Sequence, residues 1–383
     1  MTQHEEVIYL NNAASSWPKA PGVAEAVRAT MENPPAHPGR TVATETDALT
    51  RCRQMLAAML DVPHPERIVL TMHATQALNL ALFGLGLERE ALVVTTATEH
   101  NSVLRPLHHL QAESGIRLAV IGLDGAGRVD GDAFGAALQD QPALVAVNHV
   151  SNVTGQINDV APLFAQAKGQ GALTLLDASQ SLGHIPVRPR ELQADLVAFT
   201  GHKGLCGPQG TGGLYVAEHL ELRQVYVGGT GVRSDLLLHP PDMPMRLEAG
   251  TPNVPAFAGL ATALEWLKAH GGEHVAYEIE LGAFLRSELG QIKGVRVLGA
   301  ANDDKHLGIV SFVMPGWTPE DVGHILSDSY GILCRSGLHC APLIHEALGC
   351  GPEGSVRLSV SGFTTPAEAQ AAVTAVKAIA GAA

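Results

Sequence analysis

The stretch Asp195-Leu196-Val197-Ala198-Phe199-Thr200-Gly201-His202-Lys203-Gly204 lies near the middle of a chain of 383 residues. Its apolar run predicts a buried strand, and the small and polar residues that follow predict a loop. Lys203 stands just past the strand, ahead of glycines that we expect to line a pocket. A lysine buried there can act as a Schiff-base nucleophile, because burial disfavours its charged form. The alternative is a surface lysine in a turn.

Composition narrows the class of protein. A chain that is 46% hydrophobic at this length is long enough for one large domain and a smaller one. The formal net charge of −13 argues against a nucleic-acid binder, since phosphate contacts need a basic surface. Apolar stretches fall short of the ~20 residues of a membrane span, and residues 1–6 lack a signal-peptide pattern. We therefore expect a cytoplasmic protein that binds neither nucleic acid nor membrane.

The five cysteines do not have the pattern of a secreted disulfide framework, because their number is odd and no C-x-x-C occurs. Three of them, Cys334, Cys340 and Cys350, lie near His339 and His345 in the sequence. Their spacing matches no common zinc-ligand pattern, so we predict no metal site. One of these thiols is instead a candidate reactive group.

Seven apolar runs alternate with helical stretches through most of the chain. They cover residues 67–70, 91–95, 117–121, 144–148, 173–176, 196–199 and 213–216. This alternation predicts an α/β fold, with a mostly parallel seven-stranded sheet between helices. In such sheets, ligands bind beyond the carboxyl ends of the strands.

The pattern of predicted helices and strands changes near residue 255. Two helices (256–269 and 275–289), short strands and a closing helix over 366–380 predict a smaller α+β domain. We expect a large domain over residues 15–255 and a small domain formed by residues 1–14 and 256–383. The segment 228–245, rich in Gly, Pro and Leu, is expected to be a long surface loop.

Polar residues follow several of the predicted strands. Thr75 opens a helix whose N-terminus can hold a phosphate, although an ordinary N-cap is the alternative. His100 can stack its ring on a flat ligand or be a surface histidine. Asn152 offers a donor and an acceptor at a strand end, where turn chemistry is the alternative.

Asp177 ends a buried strand, and an unpaired carboxylate is costly to bury there. It is 26 positions before Lys203, with one helix-length segment and one strand between them. That spacing places the two on neighbouring strand ends. An aspartate that can hold a protonated pyridine nitrogen, near a lysine that can form an imine, is what pyridoxal phosphate requires. A structural Asp–Lys ion pair is the alternative.

The sequence resembles the class V aminotransferase family of pyridoxal phosphate enzymes and, within it, the cysteine desulfurases. The likeness runs from Tyr9-Leu10-Asn11-Asn12-Ala13-Ala14 to Val356-Arg357-Leu358-Ser359. Its most specific parts are Asp177-Ala178-Ser179-Gln180 and Thr200-Gly201-His202-Lys203. The resemblance implies the pyridoxal-phosphate-dependent transferase fold type I.

The resemblance also implies residue roles. Lys203 would bind the cofactor covalently, Asp177 would pair with the pyridine nitrogen, and His100 would stack on the ring. Asn152 and Gln180 would approach the ring hydroxyl. The residues implied for the phosphate are Ala74, Thr75, Thr200 and His202. The residues implied for the substrate are Asn11, Ala13, Ala14, Asn152 and Arg357. Thr251 would reach the cofactor phosphate of a partner subunit, which implies a homodimer.

Cys340 lies in a loop punctuated by Gly337 and Pro342, beside a cation and a histidine. Such surroundings favour a reactive thiolate, whereas a small buried apolar residue is the alternative. The stretch resembles the Arg-x-Gly-His-His-Cys-Ala motif of one desulfurase group, which implies that Cys340 is the nucleophile. Two departures are visible: Leu338 replaces the first histidine of that motif, and Asn11 stands where the family often has Asp.

The sequence thus predicts a pyridoxal-phosphate-dependent cysteine desulfurase with Lys203, His100 and Cys340 as catalytic residues. It would convert L-cysteine to L-alanine, and a sulfur-acceptor protein or thiol would take the sulfur for iron–sulfur clusters, tRNA thiolation or another pathway. The alternatives are a selenocysteine lyase acting on L-selenocysteine, and a class V lyase or aminotransferase in which Cys340 is not catalytic. A non-catalytic scaffold and a metal-binding regulator built on the Cys334–Cys350 segment are further alternatives.

Overall fold

The computed structural model describes residues 7–33, 47–299 and 305–382, so the expectation about a signal peptide at residues 1–6 lies outside them. The helices are α1 (Val23–Glu32), α2 (Ala48–Leu60), α3 (Ala74–Gly84), α4 (Asn101–Ser114), α5 (Gly131–Leu138), α6 (Val160–Gly169), α7 (Pro189–Leu192), α8 (Val254–Gly290), α9 (Pro319–Tyr330), α10 (Pro342–Ala347) and α11 (Pro366–Ala380). The strands are β1 (Ile8–Tyr9), β2 (Ile68–Thr71), β3 (Leu92–Thr96), β4 (Arg117–Ile121), β5 (Leu144–Asn148), β6 (Leu173–Asp177), β7 (Leu196–Thr200), β8 (Gly212–Val216), β9 (Arg296–Val297), β10 (Ile309–Val313), β11 (Ile332–Leu333), β12 (Arg335–Gly337) and β13 (Ser355–Ser359).

The predicted α/β fold with a mostly parallel seven-stranded sheet is confirmed. The strand order is β2-β8-β7-β6-β5-β3-β4. Strand β8 runs antiparallel to both of its neighbours, and the other adjacent pairs are parallel. All seven predicted strands are present within one or two residues, because continuous apolar runs are what a sheet covered on both faces requires.

Helices cover both faces of this sheet. On one face, Phe164 of α6 and Leu260 of α8 pack into a buried apolar cluster with β5, β6 and β7. On the other face, Leu78 of α3 and Leu107 of α4 pack against the same strands. The sheet is therefore the middle layer of three.

Helix α8 corrects the sequence prediction of two helices. It runs unbroken over 37 residues, through Gly271 and Gly272. Each glycine costs a helix about 1 kcal/mol relative to alanine, and the pair therefore looked like a break. Trp266 stabilises this part of the helix through ring contacts one and two turns along, at 5.5 Å from His270 and 5.1 Å from His274 between centroids.

The two halves of α8 belong to different cores. Leu260 and Leu264 pack with the large sheet, whereas Leu281 and Leu285 pack with the four-stranded antiparallel sheet β12-β13-β10-β9. The β1 strand pairs with β11 beside this smaller sheet. The division into 15–255 and 1–14 plus 256–383 stays a prediction, and we propose that the boundary runs through the middle of α8.

The segment between β8 and α8, residues 217–253, contains no helix or strand, which agrees with the expected loop at 228–245. No helix in the described part of the chain has both the length and the apolar character to cross a membrane. Among residues 7–33, 47–299 and 305–382, no group of three or more His, Cys, Asp or Glu side chains is arranged to hold a metal ion.

Candidate active site

A cavity of about 200 Å³ opens at the carboxyl edge of the large sheet. The structure brings twelve of the predicted site residues to its wall: Ala13, Ala14, Ala74, Thr75, His100, Asn152, Asp177, Gln180, Thr200, His202, Lys203 and Arg357. Asn11 and Cys340 contact residues of this wall, whereas Thr251 lines a second cavity elsewhere.

Lys203 follows β7, as the opening stretch predicted. Burial lowers the pKa of its amine to about 8, and the nearby Asp177 carboxylate opposes that shift. A pKa of about 8 leaves a substantial share of the lysine unprotonated near neutral pH, which is the nucleophilic form. Lys203 lines the wall of the cavity, which argues against the alternative of a surface lysine in a turn.

Asp177 is the last residue of β6, which is the strand next to β7, and it pairs in register with Ala198 of β7. Its Oδ1 accepts hydrogen bonds from the backbone N–H of Ser179, at 2.9 Å, and from the Ser179 hydroxyl. Burial raises the pKa of Asp177, while these bonds and the charge of Lys203 lower it. Asp177 and Lys203 interact through charge and share no hydrogen bond in the described chain. The carboxylate is thus oriented by Ser179 and available to a cation in the cavity.

The N-terminus of α3 forms another part of the cavity wall. His73 is the N-cap, and its Nδ1 accepts a hydrogen bond from the backbone N–H of Gln76 at 3.1 Å. Thr75 is therefore not the cap and belongs to the first turn. First-turn N–H groups carry partial positive charge and suit a phosphate. His202 also faces this region, and its buried Nδ1 has no hydrogen-bond partner among the described residues.

The glycine-rich run after Lys203 has a different role from the expected one. These glycines do not line the cavity. A Cβ at Gly212 would lie 2.9 Å from His73 Cα, and one at Gly204 would lie 2.6 Å from the carbonyl oxygen of Leu182. The absent side chains thus allow β8 and the Lys203 loop to approach the neighbouring segments closely.

His100 is the N-cap of α4, with its Nδ1 accepting a hydrogen bond from the backbone N–H of Ser102 at 3.0 Å. Burial lowers the pKa of His100 to about 3, and Lys203 adds to the effect. The ring is therefore neutral and held in one orientation, as a stacking partner needs. Glu99 beside it is fully buried, and burial raises the pKa of its carboxyl to about 8.

Arg357 is fully buried on β13. It donates to the backbone oxygen of Asn152 at 2.8 Å and to Asn11 Oδ1 at 3.2 Å. Its Nε has no partner in the described residues, and neither does Asn152 Oδ1. Burial lowers the pKa of Arg357 to about 9, and no described carboxylate contributes to its shift. A buried cation with an unpaired N–H is suited to an anionic ligand.

Cys340 lies beside the cavity and is partly exposed. The Arg335 guanidinium, which lines the cavity, lies 3.2 Å from its sulfur. Strand register places Arg335 directly opposite Arg357 on the neighbouring strand. The segment after β12 therefore places a thiol next to the Lys203 cavity. Cys334, by contrast, is held inert because burial raises its pKa to about 11.

Sequence reasoning missed several wall residues, namely His73, Ser102, Asn148, Val150, Ser179 and Arg335. Most of them follow a strand end or begin a helix within two residues of a predicted site residue. Inspecting the immediate neighbours of each strand end would therefore have found them. Arg335 lies far from every other wall residue except Arg357 in the sequence, and only the pairing of β12 with β13 brings it there.

Comparison with known proteins assigns the fold and the site to a family. The model for class-V aminotransferases matches residues 8–371. The chain belongs to the class V aminotransferase family. A protein of Streptomyces coelicolor named "Probable cysteine desulfurase" is 32% identical, over 96% of this chain and 91% of that protein. One of Methanothermobacter thermautotrophicus with the same name is 33% identical, over 95% and 92%.

Solved structures agree with this assignment. An apo cysteine desulfurase from Thermococcus onnurineus NA1 has a TM-score of 0.90 and 34% identity, covering 99% of this chain and 96% of that one. The Escherichia coli cysteine desulfurase CsdA has a TM-score of 0.88 and 27% identity, covering 97% and 94%. Within the class V family, this chain therefore belongs with the cysteine desulfurases, and its fold is type I.

The class V family implies pyridoxal phosphate as the cofactor, and the cavity fits it. Lys203 supplies an amine whose pKa is lowered to about 8, Asp177 a carboxylate that faces the cavity, and α3 an anion site. The buried unpartnered atoms Asn152 Oδ1 and His202 Nδ1 supply hydrogen-bonding capacity that the protein itself leaves unused. These are the groups that a phosphorylated pyridine ring with a hydroxyl requires.

Proposed function

We propose that this chain takes sulfur from L-cysteine, releases L-alanine and holds the sulfur as a persulfide on Cys340. The observation that carries the proposal is the position of the Cys340 sulfur, 3.2 Å from Arg335 at the cavity that contains Lys203. The thiol also lies close enough to Lys203 and Arg357 for its charge to raise the pKa of both groups. A nucleophilic sulfur beside a lysine of lowered pKa and a buried arginine suited to a carboxylate supports sulfur abstraction from an amino acid.

The cofactor would be held by the residues that the sequence predicted. Lys203 would attach to it, Asp177 would face its ring nitrogen, and His100 would lie against its ring. The first turn of α3 and His202 would hold its phosphate, and Gln180 and Asn152 its hydroxyl. When bound, pyridoxal phosphate supplies a cationic ring that accepts electrons from the substrate carbon.

The protein's own residues then bind the substrate and move its protons and sulfur. Arg357 binds the α-carboxylate, and Lys203 takes the proton from the substrate Cα. The Cys340 thiolate attacks the substrate sulfur, so that a sulfur–sulfur bond forms and the carbon–sulfur bond breaks. The electron pair of the broken bond stays with the substrate Cβ, which takes a proton to become the methyl group, and Lys203 returns a proton to Cα to complete alanine. Sulfur is oxidised and carbon is reduced by the same two electrons, so no external oxidant is consumed.

Incubation of the purified holoenzyme with L-cysteine and a reductant tests this function. We expect equal amounts of L-alanine and sulfide, and a mass increase of one sulfur atom on Cys340 when the reductant is left out. Parallel incubation with L-selenocysteine distinguishes the selenocysteine lyase alternative, which predicts turnover of that substrate alone. Alanine formation without sulfide, or pyruvate in its place, would instead support a class V enzyme in which Cys340 is not catalytic.

We also propose that the chain is a homodimer in which Thr251 reaches the cofactor phosphate of the partner subunit. Thr251 lies outside the Lys203 cavity, in the long loop before α8. The same loop carries exposed apolar side chains, with Leu237 fully exposed and Leu238 84% exposed. Exposed apolar side chains of this size support an interface with another protein surface.

Light scattering is expected to give twice the 40.1 kDa mass of one chain. Thr251→Ala is expected to weaken cofactor binding without changing that mass, because it removes one hydroxyl from a site that the partner completes. A monomer with full cofactor affinity would contradict the dimer proposal. The cytoplasmic location expected from the sequence stays a prediction.

A further inference from the structure

The backbone at Cys340 has an unusual conformation. The N–H of Ala341 donates to the carbonyl oxygen of Leu338 at 2.8 Å, which closes a four-residue turn. Both central residues have positive φ, 50° at His339 and 59° at Cys340. Turns with two positive φ angles normally carry glycine or asparagine, because a Cβ is strained there. Residues other than glycine keep this backbone conformation only where the surrounding structure holds them in it.

Part of that support comes from the large domain, through the backbone of the turn. The carbonyl oxygen of His339 accepts a hydrogen bond from Asn152 Nδ2 at 2.8 Å. The carbonyl oxygen of Cys340 accepts one from the N–H of Asn101, the first residue of α4, at 2.7 Å. Both donors belong to the large-sheet edge that carries the cavity. The turn is thus fastened to the cavity through its two central carbonyl groups.

The other support is a side-chain hydrogen-bond chain inside the small domain. His339 Nε2 lies 3.1 Å from the Ser355 hydroxyl, and His345 Nε2 lies 3.0 Å from the same oxygen. His345 Nδ1 lies 2.9 Å from the carbonyl oxygen of Ala341, the last residue of the turn. All three side chains are buried, at 2% exposure or less. This series of hydrogen bonds therefore runs from His339 of the turn through Ser355 and His345 back to Ala341 of the turn.

The donor and acceptor properties of these groups fix the direction of each hydrogen bond in the series. A carbonyl oxygen only accepts, so His345 Nδ1 carries the proton, and the Nε2 of the neutral ring accepts from the Ser355 O–H. The Ser355 oxygen is then free to accept from His339 Nε2–H. Burial, with Arg357 and Arg335 nearby, lowers the pKa of His339 to about 2, so its ring is neutral and its Nδ1 is unprotonated. That Nδ1 has no partner among the described residues.

We propose that Ser355 is the positioning residue of the Cys340 turn: its hydroxyl joins His339 to His345 and so holds the two residues with positive φ in place. Ser355 lies opposite Gly337 on β12, on the same strand as Arg357. The hydroxyl does not touch the reacting atoms. It acts through the ring of His339, which is the first of the two central residues of the turn. The proposal rests on the proposed function only for its kinetic readout.

Ser355→Ala removes the link while changing the side-chain volume little. We expect faster hydrogen–deuterium exchange of the Ala341 amide, because the turn that this amide closes loses its side-chain support. We expect kcat for sulfide release to fall about 10- to 100-fold through misplacement of the Cys340 sulfur. The KM for L-cysteine and the visible absorption of the bound cofactor should stay within twofold of the wild type, since Arg357 and Lys203 are unchanged.

His345→Phe gives an independent variant, because it keeps the ring and removes both of its hydrogen bonds. It should have the same exchange and kcat phenotype. Ser361→Ala is the matched control: Ser361 is also buried, two residues beyond β13, and its hydroxyl accepts from the backbone of Phe363. The control should leave exchange at the turn and kcat unchanged.

Unchanged exchange at Ala341 in both Ser355→Ala and His345→Phe would overturn the proposal. So would loss of kcat together with loss of cofactor absorption, which would indicate a general packing role. The exchange measurement does not require desulfurase activity. A wild-type protein that releases no sulfide would therefore refute the proposed function and leave the test of Ser355 intact.

Discussion

Cys340→Ser is expected to lower sulfide release from L-cysteine by about 10³-fold or more, since removal of a nucleophile leaves little residual chemistry. A serine hydroxyl at the same place has the shape of the thiol, but it cannot form the sulfur–sulfur bond. The visible absorption of the bound cofactor should be retained, because Lys203, Asp177 and His100 are unchanged. Sulfide assay, alanine quantification and an absorption spectrum of one preparation measure all three quantities.

Cys350→Ser is the control for this experiment. Cys350 lies in the same region of the small domain and is also partly exposed, but its sulfur contacts Arg296 rather than the cavity. It should retain wild-type activity. Full sulfide release by Cys340→Ser would exclude the persulfide mechanism. Retained alanine formation without sulfide would move the assignment to a class V enzyme with an incidental thiol.

Lys203→Ala is expected to abolish both activity and covalent attachment of pyridoxal phosphate. In the proposed mechanism the amine both attaches the cofactor and moves the substrate proton, and proton transfer alone is typically worth about 10² to 10⁴-fold in rate. The direct readout is the mass of the protein after borohydride treatment, which should increase by the reduced cofactor in the wild type and stay unchanged in the variant. This measurement needs no substrate.

Lys268→Ala is the matched control, because Lys268 is exposed on α8 and far from the cavity wall. It should attach cofactor normally. In the wild type, attachment to the apo protein should become faster as pH rises towards about 8, because the neutral amine reacts and the pKa of Lys203 is about 8. A rate that keeps rising to pH 10, or an adduct that remains in Lys203→Ala, would show that another amine is the attachment site.

Much of the fold could be predicted because the large sheet is buried on both faces. Its central strands are continuous apolar runs, and β5, β6 and β7 end in Asn148, Asp177 and Thr200, which line the cavity at the open edge. Asp177 and Lys203 could be placed together for the same reason, since they follow adjacent parallel strands. Thr75 lies in the first turn of α3, where a phosphate site is predicted, and the capping role belongs to His73.

Predictions failed where local preference and long-range packing disagree. The pair Gly271–Gly272 suggested a break, yet Trp266 and the two cores that α8 joins keep it helical. The glycines after Lys203 suggested a pocket lining, yet their neighbours show that they permit close approach of backbone segments. The close approach at these glycines is not visible in a short window of sequence, because the atoms that decide it, such as those of His73 and Leu182, come from other parts of the chain.

The amino-acid sequence by itself determined the α/β sheet, the chemistry at its carboxyl edge and the resemblance to a pyridoxal phosphate family, because strand periodicity and strand-end residues are local properties. Only the tertiary structure decided what surrounds Cys340. Pairing of β12 with β13 brings Arg335 opposite Arg357, and Ser355 joins His339 to His345 across 16 and 10 positions. These contacts join residues that are not neighbours in the sequence, so they exist only once the chain has folded.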